Sequence, residues 1–75
     1  MNQTGQVEFI EQSIAKSPLS NDFKSVTEVL GFHTFSDLLV HRTAKLLTLP
    51  GFNQHLIYEY VNYLETNDMG HLIDP

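Results

Sequence analysis

Cysteine and tryptophan are absent from this 75-residue chain, and basic residues are few. Without cysteine there is no disulfide, no thiolate zinc site and no cysteine nucleophile, so stability must come from packing. No apolar run approaches the roughly 20 residues that a membrane helix needs, and the first residues do not form a signal peptide. These absences predict a soluble, cytoplasmic protein with no membrane partner.

Positive charge is the second scarcity. Four Lys and Arg face nine Asp and Glu, which gives a net charge of −5. Nucleic-acid binding depends mainly on the neutralisation of phosphates by Lys and Arg. Because Lys24, Arg42 and Lys45 fall in the middle of the chain and acidic residues crowd its C-terminal end, any basic surface is expected to be weak.

The apolar residues that are present predict an all-α fold, a compact bundle of about five short helices. Val7, Ile10 and Ile14 recur at helical spacing and predict a first helix from Gln6 to Ala15, which Ser17-Pro18 ends. A second helix, capped by Ser20 or Asn21 and with Asp22 in its first turn, would end at Gly31 in a left-handed backbone. The side chains expected to face the core from this helix are Phe23, Val26, Val29 and Leu30.

Two short helices and one long helix are expected after Gly31. Thr34 and Asp37 resemble a capping box, which would open a short helix, and Thr43 is the expected N-cap of another single turn. The longest apolar stripe predicts a final helix from about Gln54 to Asn67. Its members are Leu56, Ile57, Tyr60, Val61 and Leu64. In the tail, Leu72 or Ile73 is expected to pack on the core.

A Pro50-Gly51 turn before the final helix is the point around which the chain is organised. Proline disfavours the helical conformation in Leu49, and glycine tolerates the backbone of a tight turn. Asn53 then stands where a helix N-cap is wanted. The first amides of this helix offer a site for an anion such as a nucleic-acid phosphate, although a capped helix start that faces water is the alternative interpretation.

No residue pattern indicates catalysis, a metal or a cofactor. The four histidines, at positions 33, 41, 55 and 71, are far apart and lack the spacing of a metal site. A catalytic motif and room for a deep cleft are also missing in a chain of this size. We therefore predict a non-enzymatic protein without a cofactor. Tyr58, Asn62 and Tyr63 lie off the apolar stripe of the final helix, either as anchors of a protein interface or as partly buried edge residues.

From about Ser17 to Ile73 the chain resembles the C-terminal domain of the bacterial RNA polymerase α subunit, a relative of helix-hairpin-helix domains. The matching segments are Phe32-His33-Thr34-Phe35-Ser36-Asp37-Leu38-Leu39, then Arg42-Thr43, then Leu46-Leu47-Thr48-Leu49-Pro50-Gly51-Phe52 and the amphipathic final helix. The resemblance implies residues 17–75 as the domain, residues 1–16 as a helical extension, and a bundle that binds the DNA minor groove and transcription activators.

The DNA-contact positions that the resemblance implies carry different residues here. Asp22 stands near the place of the family's arginine, and the Gly-Lys-Lys-Ser run that opens the last helix becomes Asn53-Gln54-His55-Leu56. The candidate nucleic-acid-binding residues are therefore Lys24, Asn53, Gln54 and His55. Two functions stay open: a stand-alone, transcription-associated module with weak DNA or polymerase contact, and an acidic protein-interaction domain that has lost DNA binding. A monomer is the favoured state.

Overall fold

The computed structural model describes residues 3–74, and the predictions that include Met1, Asn2 or Pro75 concern residues outside this range. Within it the chain forms five α-helices and no strand, which confirms the all-α class. They are α1 (Gln3–Ile10), α2 (Asn21–Leu30), α3 (Phe35–Leu39), α4 (Thr43–Leu46) and α5 (Gln54–Thr66). Single 3₁₀ turns follow α1, at Ile14–Lys16, and α5, at Gly70–Leu72.

A buried apolar cluster joins α2, α3, α4, α5 and the first 3₁₀ turn. Phe23 of α2 lies at its centre, with Phe52 edge-on at 5.9 Å and Tyr60 stacked at 6.3 Å between ring centroids. Such aromatic pairs add to the free energy gained from burial. The cluster consists of Ile14, Phe23, Phe35, Leu38, Leu46, Phe52, Leu56, Ile57, Tyr60 and Leu64.

The first helix is shorter than predicted and lies earlier in the chain. It ends at Ile10, whereas Ile14 enters the core from a separate turn, because its amide donates to the His33 carbonyl at 2.9 Å. The predicted stripe is divided as a result, since Ile14 is 2 % exposed and Val7 is 52 % exposed. Phe9 anchors α1 through ring contacts with Phe35 and Tyr63.

The prediction for α2 was wrong at one core position. Ser20 is the N-cap, and Gly31 ends the helix with φ of +87°, as expected. Val29, however, is 85 % exposed, because a residue six positions after Phe23 lies about 240° around the helix from it. Thr27, four positions after Phe23, is buried instead, and its hydroxyl donates to the Phe23 carbonyl at 3.0 Å.

The remaining predicted elements are present with one change of role. Thr34 and Asp37 form the capping box of α3, and Ile73 packs against the buried cluster. Thr43 is the first residue of α4 and not its N-cap, a position that Arg42 occupies. The Thr43 amide and hydroxyl instead donate to the carboxylate of Asp74.

Candidate functional site

The turn at residues 49–53 fixes the start of α5. Gly51 has φ of +93°, in the left-handed region, and a Cβ there would meet both Val26 methyl groups at 3.2 Å. The Phe52 amide donates to the Leu49 carbonyl at 3.2 Å, and the Phe52 ring is buried. The turn therefore holds α5 against α2 and places Asn53 at the N-cap, where its Oδ1 accepts from the Leu56 amide at 2.9 Å.

Three of the four candidate nucleic-acid-binding residues lie together. Asn53, Gln54 and His55 are consecutive and exposed at the start of α5. Lys24 lies apart from these three residues. It is half-buried on α2 and lines a cavity of about 160 Å³ together with Glu28 and His33. Within residues 3–74 no hydrogen bond or ion pair joins Lys24 to the other three candidates.

A carboxylate stands beside these candidate residues. Glu59 Oε2 lies 3.7 Å from His55 Nε2, one turn along α5, and the Glu59 side chain is only 18 % exposed. The same carboxylate accepts from the Ser20 amide at 3.0 Å and from the Ser20 hydroxyl at 2.8 Å. Glu59 thus brings a negative charge to the first turn of α2, the place where a bound anion would lie.

Carboxylates of the chain also lie at the starts of α3 and α4. At α3, Asp37 accepts from the His33 amide at 2.9 Å and from the Thr34 amide at 3.1 Å. At α4, Asp74 accepts from the Thr43 amide at 2.8 Å and from its hydroxyl at 2.6 Å. The backbone bonds from His33 and Thr34 lower the pKa of Asp37, and the bonds from Thr43 lower the pKa of Asp74.

The sequence signalled only one of these carboxylates. Asp37 follows Thr34 by three positions, which is the spacing of a capping box. Glu59 accepts from Ser20, 39 positions before it, and Asp74 accepts from Thr43, 31 positions before it. No local sequence pattern predicts contacts over such separations. At the start of α5 the Leu56 amide bonds to the uncharged Asn53 side chain, whereas a carboxylate accepts from backbone amides at the starts of α2, α3 and α4.

A second cavity lies along the outer face of α5, and the sequence did not predict it. Its volume is about 420 Å³. One wall is Pro18 and Leu19, and the other is a helical stripe of α5. The stripe consists of His55, Tyr58, Glu59, Asn62, Tyr63 and Thr66. We call this cavity the α5 groove.

The walls of the α5 groove are held in place by contacts with the rest of the molecule. The hydrogen bonds of Ser20 with Glu59 join the segment after Leu19 to α5. The Tyr63 ring lies 5.4 Å from both Phe9 and Phe35, centroid to centroid, and its hydroxyl lies 3.5 Å from Gln12 Oε1. Tyr58, in contrast, is 69 % exposed.

Neither a metal site nor a membrane span is present in the part of the chain that the structure describes. Residues 3–74 contain no group of three or more His, Cys, Asp or Glu side chains that is suitable for a metal ion. Over the same residues no helix has the length and apolar content needed to cross a bilayer.

Comparison of the chain with protein-family models, with curated proteins and with solved structures found no match.

Proposed function

We propose that this chain is a non-enzymatic, stand-alone module similar to the C-terminal domain of the RNA polymerase α subunit, and that it acts in transcription by contacting a protein. The motifs between Phe32 and Phe52 and the final amphipathic helix support the family assignment. A polymerase subunit or a transcription activator is the class of partner that this assignment implies.

The position of Glu59 is the observation that favours protein over DNA. In the family, DNA contact depends on the first helix of the domain and the start of the last helix. Here a carboxylate joins the corresponding elements, since Glu59 binds Ser20 at the start of α2 and lies beside His55 at the start of α5. A fixed negative charge at this junction repels a phosphate backbone, and the net charge of −5 adds to the repulsion.

A binding assay with a bacterial extract that contains RNA polymerase and its transcription activators tests the proposal. The immobilised chain is expected to retain the polymerase core or one transcription activator, and the retained species is identified by mass spectrometry. The negative control is a chain of similar size and charge. If nucleic acid is the only species retained, as shown by its removal with nuclease, the proposal is contradicted.

DNA contact is the second candidate function, and the exposure of Asn53, Gln54 and His55 at one helix start favours it. Addition of an AT-rich duplex at low salt would then shift the amide resonances of Lys24, Asn53 and His55. The matched variant is Glu59→Gln, which removes the repelling charge and is expected to strengthen any such contact. Unchanged spectra in both proteins would exclude this candidate.

A further inference from the structure

We infer that the α5 groove binds an extended, proline-containing peptide segment that carries one basic residue. The inference deepens the proposed protein contact by naming its surface and the chemistry of its partner, and to that extent it rests on the proposed function.

The length of the groove accommodates a short extended peptide. From His55 to Thr66 the helical stripe is about 16 Å long at a rise of about 1.5 Å per residue. A polyproline II segment of about five residues, at about 3.1 Å per residue, matches the same length.

The lining favours proline. Tyr58 and Tyr63 present aromatic surfaces to the groove, and Pro18 and Leu19 form the opposite apolar wall. Aromatic-lined grooves bind polyproline II segments because the peptide is already ordered before it binds. Its carbonyl groups make no internal hydrogen bonds, so the Tyr58 hydroxyl and the Asn62 amide are suitable donors to them.

The charge of the lining favours a cation on the peptide. Glu59 is the one carboxylate that lines the groove, and none of the lining residues is Lys or Arg. Its two bonds with Ser20 use only part of the accepting capacity of a carboxylate. An arginine of the peptide therefore finds a charged partner at Glu59, whereas a phosphate or an acidic peptide finds no Lys or Arg in the lining.

The groove is formed before any partner arrives. Phe9 and Phe35 hold the Tyr63 ring, and Glu59 holds the Pro18–Ser20 segment against α5. A preformed site avoids the entropy cost of ordering its walls on binding. This distinguishes the α5 groove from Val29 and Val40, which are exposed single apolar side chains that line neither of the two cavities described.

Titration of the full chain with capped heptapeptides, followed by backbone amide resonances, tests the inference. The probe is six prolines with arginine at the centre, and its counterpart has glutamate there. We expect saturable shifts around Tyr58 and Asn62 with a Kd below about 1 mM, and about fivefold weaker binding of the glutamate peptide. Tyr58→Ala is expected to weaken binding about tenfold, whereas the control Val29→Ala leaves it unchanged.

Glu59→Gln isolates the charge, since glutamine retains an accepting oxygen for Ser20 and the two peptides should then bind equally. The inference is overturned if the arginine peptide gives no saturable shift, if Tyr58→Ala binds as well as the parent, or if the preference for arginine survives in Glu59→Gln. Occupation of the groove by a second copy of the chain, shown by concentration-dependent shifts at Tyr58, or by oligothymidine would overturn it as well.

The polymerase assay separates this inference from the proposed function. Retention of polymerase by Tyr58→Ala at the parental level leaves the proposed function standing and places the contact elsewhere. Peptide binding without any retention of polymerase or activator supports the peptide-binding groove and contradicts the proposed function.

Discussion

Asp37 and Asp74 make the stability of the fold depend on pH in the acid range. Each folded-state pKa lies below the ordinary value of 3.8, so the stabilisation is fully present above that pH. It is lost as the pH falls below 3.8 and passes through the folded-state pKa of each group. We expect the midpoint temperature of thermal unfolding, measured by circular dichroism, to fall steeply below pH 3.8. Asp74→Asn should be less stable at pH 7 and show a shallower decline, and a decline parallel to that of the parent would contradict the role of Asp74.

Tyr60, in contrast to these carboxylates, is a buried residue whose polar group has no hydrogen-bond partner among residues 3–74. Its hydroxyl makes no hydrogen bond with residues 3–74, and burial raises its pKa well above the ordinary value. A buried unpaired hydroxyl costs about 1–3 kcal/mol. Tyr60→Phe is therefore expected to leave the free energy of unfolding unchanged or to raise it by about 1 kcal/mol, as measured by urea denaturation. A loss of stability would show that the hydroxyl has a partner.

At the scale of the element, two glycines with left-handed backbones allow the energetic cost of backbone strain to be distinguished from the cost of steric crowding. Gly31 ends α2 with open space around it, whereas a Cβ on Gly51 meets Val26 at 3.2 Å. Gly31→Ala is expected to cost about 1 kcal/mol from backbone strain alone. Gly51→Ala should cost roughly 1 kcal/mol more because Val26 must also move. Urea denaturation of both variants gives the comparison, and equal losses would mean that Val26 yields without cost.

Helix α1 is attached to the rest of the molecule mainly through Phe9. Phe9→Ala is expected to cost about 2 kcal/mol, less than the 3–5 kcal/mol typical of a fully buried Phe, because Phe9 is only partly buried. Amide exchange in α1 should rise while α5 stays protected. The matched control is Val7→Ala in the same helix, where the side chain is 52 % exposed and the loss should stay within about 0.5 kcal/mol. Equal effects of the two substitutions would show that Phe9 is not the anchor.

The elements whose formation depends on near neighbours were predictable. Gly31, the Thr34–Asp37 box and the Asn53 cap involve residues within four positions of one another, and the structure places all three as expected. Val29 was misplaced by the helical period within α2 itself, and the other failures lie where distant residues decide. Ile14 leaves the helical stripe because His33 offers its carbonyl, and the α5 groove exists because Ser20 reaches Glu59.

At the scale of the whole molecule, two of the carboxylates described above, Glu59 and Asp74, join distant parts of the chain. Ser20 with Glu59 fastens α2 to α5, and Thr43 with Asp74 fastens α4 to the tail. Because the contacts share no residue, Glu59→Gln and Asp74→Asn should act independently. We expect the shift in the unfolding midpoint of the double variant to equal the sum of the single shifts, by circular dichroism at pH 7. A shift larger than the sum would show that the two contacts stabilise one another.

The separation of Ser20 from Glu59 also has a consequence for synthesis on the ribosome. A nascent chain that has reached α3 contains all of α2 but lacks the carboxylate that binds its first turn, since that group is added 39 residues after Ser20. Short helices are marginal without tertiary partners. The early helices of this chain therefore become stable only once α5 is available to pack against them. The nascent domain becomes resistant to proteases only when this last long helix has left the exit tunnel.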